Sequence, residues 1–293
     1  MKNVKLWTAL ITPMNSDGSI NYADLEKMVI RQADAGNGVL LIGSTGEGLA
    51  LTVEEKKEAV QFVAQLKPDV PVMVGVGGFN LETQKEWIRF CNTLAIDAFL
   101  LVAPLYSKPG NEGQKAWFND LMDVAGKPCM VYNIPSRTGV KITIEVLNEI
   151  KNHKNFWAVK EAGASLADYQ EFREKCPDIL FYSGDDGLLP FMAVLGCKGL
   201  VSVASNIWPT ETKRYVEKSL NGDTKYLFPI WKQAVETIFS APNPVAVKVL
   251  LKEKGLIQNA TLRAPLTEKE ISSPDPLLEA DKQIINWYKT QTD

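Results

Sequence analysis

One lysine, Lys160, directly follows the short apolar run Phe156-Trp157-Ala158-Val159. A lysine whose stem is buried by such a run loses hydration, which lowers its pKa and leaves the amine nucleophilic near neutral pH. Such an amine condenses with a ketone to a Schiff base, whose protonated nitrogen is an electron sink for a carbanion at the next carbon. The alternative is a lysine paired with a nearby carboxylate, Glu161 or Asp185. Tyr132, at the end of another apolar run, could donate and accept a proton beside that amine, or be a core ring with a wet hydroxyl. The turn Gly43-Ser44-Thr45-Gly46-Glu47-Gly48 offers two hydroxyls and backbone N–H groups, which suits a carboxylate. The same composition also makes an ordinary loop. Arg137, in Pro135-Ser136-Arg137-Thr138-Gly139, could grip a second carboxylate bidentately or merely solvate its loop.

The rest of the composition removes competing chemistries. There is 1 histidine, His153, so a multi-histidine metal centre cannot be built. It stands among Lys151, Asn152 and Lys154 and reads as exposed loop. The 4 cysteines, Cys91, Cys129, Cys176 and Cys197, form no C-x-x-C pair and read as buried free thiols. With 32 Lys+Arg against 35 Asp+Glu, neither nucleic acid nor an anionic membrane is the expected partner. No apolar run approaches the roughly 20 residues of a membrane span. The start, MKNVKLWTALITP, lacks a cleavage pattern, and the expectation is a soluble cytoplasmic protein that uses no cofactor and no metal.

These residues need elements to bring them together. Strand-like runs are Leu6–Ile11, Val39–Ile42, Val72–Val74, Ala98–Val102, Met130–Tyr132, Trp157–Val159, Ile179–Tyr182 and Leu200–Val203. They are mostly continuous apolar runs, as expected of parallel strands covered on both faces. Helical patterns separate them: Tyr22–Ala35, Val53–Leu66, Leu81–Leu94, Gln114–Val124, Ile144–Ile150, Leu166–Lys175 and Leu188–Leu195. Thr52 with Glu55, and Ser165 with Asp168, fit helix-start signals. About eight β/α units predict an α/β fold, a (β/α)8 TIM barrel of roughly 250 residues. The open doubly wound sheet is disfavoured, because the first strand ends in Thr12-Pro13 and Gly75-Val76-Gly77-Gly78 misses the third glycine of a dinucleotide loop. After Trp208 helices dominate, including Tyr226–Phe239, Val245–Lys254 and Leu277–Tyr288. Residues 1–224 are read as the catalytic barrel and 225–293 as a C-terminal helical appendage packed on it. In such barrels the active site lies at the carboxyl ends of the strands. There the sequence puts Thr12, the Ser44-Thr45 turn, Tyr106, Tyr132 with Arg137, Lys160, and Ser183-Gly184-Asp185-Asp186.

Several motifs in order, along nearly the whole chain, resemble the dihydrodipicolinate synthase family within the pyruvate-dependent class I aldolase and N-acetylneuraminate lyase superfamily. They are Thr8-Ala9-Leu10-Ile11-Thr12-Pro13, Gly43-Ser44-Thr45-Gly46-Glu47, Tyr132-Asn133-Ile134-Pro135-Ser136-Arg137-Thr138-Gly139, Val159-Lys160-Glu161-Ala162, Gly184-Asp185-Asp186 and Pro242-Asn243-Pro244. The resemblance implies a pyruvate Schiff base on Lys160, with Tyr132 as general acid and base. It implies a hydroxyl relay through Ser44 and Tyr106, with Tyr106 supplied by a neighbouring subunit. It makes Thr45 and the Val201 backbone contacts of pyruvate, and Arg137 the grip on the carboxylate of L-aspartate-4-semialdehyde. The implied assembly is a homo-oligomer, a dimer of dimers.

Ser44-Thr45 is itself similar to the lyase branch, which makes N-acetylneuraminate or a keto-deoxy sugar acid the alternative substrate. Arg137 and Gly184-Asp185-Asp186 are similar to the synthase branch. A catalytically silent scaffold would have lost Lys160 or Tyr132, and neither is lost. Lysine-inhibited members use a tyrosine before the relay tyrosine, an asparagine and a glutamate after strand three, and a histidine in the strand-two loop. Here Leu105 precedes Tyr106, Asn80 is followed by Gln84 with Glu82 nearby, and the loop carries Lys56. Insensitivity to lysine is expected.

Overall fold

In the computed structural model, which describes residues 4–225 and 227–291, the apolar runs pair as strands. They are β1 (Leu6–Ala9), β2 (Gly38–Leu41), β3 (Val72–Val76), β4 (Ala98–Val102), β5 (Cys129–Asn133), β6 (Phe156–Glu161), β7 (Phe181–Ser183) and β8 (Leu200–Ser202). Each pairs in parallel with the next, and β8 returns to β1 to close the barrel. The helices of the first half are α1 (Tyr22–Ala35), α2 (Val53–Leu66), α3 (Leu81–Asn92), α4 (Asn111–Ala125), the single turn α5 (Pro135–Thr138) and α6 (Ile144–Ile150). There follow α7 (Leu166–Lys175), α8 (Leu189–Val194), α9 (Pro209–Leu220), α10 (Phe228–Ile238), α11 (Val245–Glu253) and α12 (Asp275–Lys289).

Side chains alternate along each strand, so the barrel has two cores. Trp7, Leu40, Met73, Leu100, Met130, Ala158, Tyr182 and Val201 fill the interior. Leu6, Val39, Val74, Phe99, Val131, Val159, Phe181 and Leu200 face outward into the layer shared with the helices. Burial on both faces is why these strands read as continuous apolar runs. Gly38 opens β2 because a Cβ there would stand 2.6 Å from the Trp7 ring.

Two helix starts form as the sequence predicts. Thr52 and Glu55 close a reciprocal capping box on α2, and the Ser165 hydroxyl accepts from the Asp168 N–H at the start of α7. The first strand is shorter than expected. The Leu10 N–H still donates to Leu40 O at 2.9 Å, and the Ile11 N–H then donates to the Asn206 side chain at 3.0 Å. His153 also differs from expectation. Its ring is largely covered, 3.1 Å from Asp123 Oδ1, and its Nδ1 accepts from the Asn155 N–H, so it is a fixed structural contact.

The C-terminal helices share the outer core with the barrel. Trp231 of α10 stacks on Tyr215 of α9 and meets Trp208 and Trp287 edge-on. Tyr226, Met1–Asn3 and the last two residues lie outside the described residues; α10 is described from Phe228.

Candidate active site

Lys160 lies near the carboxyl end of β6, in register with Tyr132 on β5 and Tyr182 on β7. Residues level on neighbouring strands share a face, here the barrel interior. The Lys160 Nζ stands 4.2 Å from the centre of the Tyr132 ring. Only 4% of the residue is exposed. Neither expected carboxylate partner reaches it. Glu161 is taken by the Asn133 amide at 2.7 Å and the Gly163 N–H at 2.6 Å. Asp185 accepts from the N–H groups of Gly187 and Leu188. Among the described residues Lys160 has no ion pair, so the pairing alternative fails.

Burial pulls the Lys160 amine down to about 7; Asp186 opposes this and the Arg137 charge adds to it. Asp186 is pushed up to about 6 by its own burial, and is held by the Ser202 hydroxyl and the Val203 N–H. It is a fixed counter-charge rather than a contact partner. The lysine also needs room. A Cβ on Gly184 would stand 2.8 Å from Lys160 Cε and 2.8 Å from Ala162 Cβ, so glycine is required there.

Tyr132 is buried, which pushes its phenol well up; the Arg137 charge and a hydrogen bond with Ser44 pull the other way. Ser44 and Thr45 ride a turn leaving β2, in which Ile42 and Glu47 take left-handed backbone at φ 58 and φ 53. The turn is tied by Glu47 N–H to Ser44 O and Gly48 N–H to Gly43 O, both 3.1 Å. Thr12, a candidate in its own right, donates its hydroxyl to Gly46 O at 2.7 Å and so serves the turn. Thr45 accepts from the amide of Asn243, which the sequence offered only as part of the Pro242-Asn243-Pro244 motif and without a role.

Two adjoining cavities of about 830 Å³ and about 1040 Å³ share Ser44, Tyr132 and Arg137. The first adds Lys160, Thr45 and Gly184; the second runs outward to Tyr106. Arg137 stands on α5, exposed and facing both cavities. Tyr106 is 89% exposed and holds a left-handed backbone at φ 68, beside the half-buried Leu105. The expectation for Val201 concerns its backbone. Its side chain packs inside the barrel in register with Trp7, and the cavity wall nearby is Val203. The set combines a buried amine whose pKa burial lowers to about 7, a phenol, a hydroxyl turn and an exposed guanidinium. That set can condense an amine with a keto acid and steer a second anion beside it.

Residues 2–283 match the model of the dihydrodipicolinate synthetase family. The chain is 47% identical over 287 residues to the 4-hydroxy-tetrahydrodipicolinate synthase of Francisella philomiragia, covering 98% of this chain and 97% of that one. A dihydrodipicolinate synthase from Cyanidioschyzon merolae with lysine bound is similar at a TM-score of 0.89 and 29% identity, over 97% of this chain and 98% of that one. The Acinetobacter baumannii dihydrodipicolinate synthase complexed with pyruvate has a TM-score of 0.89 and 27% identity, over 96% of this chain and 99% of that one.

Proposed function

The chain belongs to the dihydrodipicolinate synthetase family, and on that premise we propose that it acts as a 4-hydroxy-tetrahydrodipicolinate synthase. It condenses pyruvate with L-aspartate-4-semialdehyde on the route to diaminopimelate and lysine. The observation that carries the reading is Lys160, a buried amine near pH 7 with no ion pair among the described residues. Its Nζ adds to C2 of pyruvate, and the carbinolamine loses water to give an iminium. Loss of a C3 proton leaves an enamine, whose C3 bonds to the aldehyde carbon of the semialdehyde. The aldehyde oxygen takes a proton. The substrate's own amino group then attacks C2, closes the ring and releases Lys160.

Tyr132 handles the protons, its ring centre 4.2 Å from the amine and its phenol tuned by Ser44. Ser44 and Tyr106 complete the relay. Thr45 and the Val201 backbone hold pyruvate, and Arg137 holds the semialdehyde carboxylate bidentately. Tyr106 reaches the site of a neighbouring subunit. Its exposure beside exposed Leu49 and Val53, which line the same cavity, supports a dimer as the smallest active unit, assembled as a dimer of dimers. Residues 225–293 belong to the catalytic unit, since their helices share its core. The cytoplasm is the proposed compartment, in keeping with four buried free thiols. No helix among the described residues is long and apolar enough to cross a membrane.

The Ser44-Thr45 pair keeps one second reading in play, cleavage of N-acetylneuraminate or a keto-deoxy sugar acid by the same amine. Initial rates with pyruvate plus L-aspartate-4-semialdehyde, set beside rates with N-acetylneuraminate, separate the two. The synthase reading expects turnover in the first assay and background in the second. The reverse result overturns it.

A further inference from the structure

Thr45 is governed from the far end of the chain. Its hydroxyl oxygen accepts a 2.9 Å hydrogen bond from Asn243 Nδ2, 198 residues away. Both side chains are buried, and Asn243 and Thr45 line the cavity that holds Lys160. A hydroxyl has one proton to donate. With Asn243 donating to its oxygen, Thr45 keeps that proton for another acceptor.

The turn beneath Thr45 is pinned by the same segment. Glu47 pairs with the Lys248 ammonium at 2.5 Å, with both side chains almost completely buried. Its other oxygen accepts from the Arg263 N–H at 2.8 Å, and Lys248 also donates to Thr261 O at 2.9 Å. A left-handed non-glycine residue such as Glu47 persists where its surroundings over-determine it. Here residues 248–263 do so. Lys248 sits on α11 inside the run Val245-Ala246-Val247-Lys248-Val249-Leu250-Leu251, all of it buried, where an unpaired ammonium would be untenable.

We propose that Asn243, backed by the Glu47–Lys248 pair, is a positioning residue for pyruvate. By donating to Thr45 it commits the Thr45 hydroxyl to donate to the substrate carboxylate. The proposal rests on the reading of Thr45 as a pyruvate contact. It makes the C-terminal segment a determinant of keto-acid affinity.

The test measures the pyruvate concentration that half-saturates borohydride trapping, from pH 6 to 8, in the full-length protein and in Asn243→Ala and Asn243→Asp. Asn243→Ala should raise it about ten-fold, the scale of one hydrogen bond at a charged ligand, with the semialdehyde KM within about two-fold of the original. Asn243→Asp is nearly isosteric and carries the test should the alanine variant fold poorly. At pH 8 its carboxylate accepts a hydrogen bond from the Thr45 hydroxyl and repels pyruvate, so half-saturation should rise further. The ratio of variant to parent should then fall as the pH is lowered and the new carboxyl is protonated. A purely structural role gives a ratio independent of pH. An aspartate variant that tracks the parent at every pH, or an alanine variant that raises both substrates' requirements equally, overturns the proposal. If the parent protein traps no pyruvate at all, the Schiff-base reading falls and this proposal falls with it.

Discussion

At the scale of single residues, the proposed chemistry depends on one amine that burial makes easier to deprotonate. Burial brings Lys160 down to about 7 from the usual 10.5. Below about pH 7 the amine is protonated and cannot attack a ketone. Adduct formation at fixed, subsaturating pyruvate should therefore rise with pH through about 7 and level off above it; a profile still climbing past pH 9 would contradict the assignment. Stability should follow the same sign. The unfolded chain binds this proton more tightly than the folded one, so this group's contribution to stability rises between about pH 7 and 10.5. Arg137 enters twice. Arg137→Ala should weaken semialdehyde use by roughly 2–4 kcal/mol in kcat/KM while leaving pyruvate trapping largely intact. It should also move the Lys160 profile to higher pH, because the guanidinium is one of the charges depressing the amine. Steady-state kinetics in both substrates check this, and an unchanged semialdehyde response would favour the lyase reading. The lysine and its register partner Tyr132 were legible because each closes an apolar run. The absence of a partner for Lys160 was not, since Glu161 and Asp185 are adjacent or strand-end acids in sequence and are spent elsewhere only in three dimensions.

At the scale of elements, strands deliver the residues and turns give them room. Gly184→Ala should abolish trapping, because the added methyl meets Lys160 Cε at 2.8 Å. Gly110→Ala, with nothing within 4 Å of the new carbon, should trap normally. Mass spectrometry of the two reduced proteins reads the difference, and equal labelling would mean the space beside Lys160 is not limiting. The strands were legible as apolar runs between helical patterns, and α1, α2, α6 and α7 begin and end where the patterns do. Strand ends were less legible. Ile11 continues the apolar run, yet its N–H donates to the Asn206 side chain, 195 residues away. The anchoring of the Ser44-Thr45 turn was invisible for a similar reason, since Glu47 and Lys248 are 201 residues apart. One signal was present: a lysine in the middle of an apolar helical run must find a buried anion.

At the scale of the whole molecule, the proposed dimer rests on the outer cavity. Tyr106, Leu49 and Val53 are exposed along it. Sedimentation at assay concentration should show a dimer or tetramer; a fully active monomer would show that Tyr106 is not lent between subunits. The same cavity bears on lysine. Leu105, Gln84 and Lys56 line it, and burial without a counter-charge lowers the Lys56 pKa. Asn80 instead caps α3, its side chain accepting from the Thr83 N–H at 3.0 Å. A lysine ammonium would meet Lys56 and Lys57 against the single carboxylate of Glu86, with none from Gln84, so inhibition below about 1 mM lysine, a binding free energy of about −4 kcal/mol, is not expected. A lysine titration of initial rate checks it.

The central claim is that Lys160 is the amine that carries pyruvate. Borohydride reduction in the presence of pyruvate, followed by peptide mapping, tests it most directly. The predicted result is one reduced adduct per chain on the peptide containing Lys160, and none in a folded Lys160→Ala variant. Labelling on another lysine, or an adduct that survives Lys160→Ala, would contradict it.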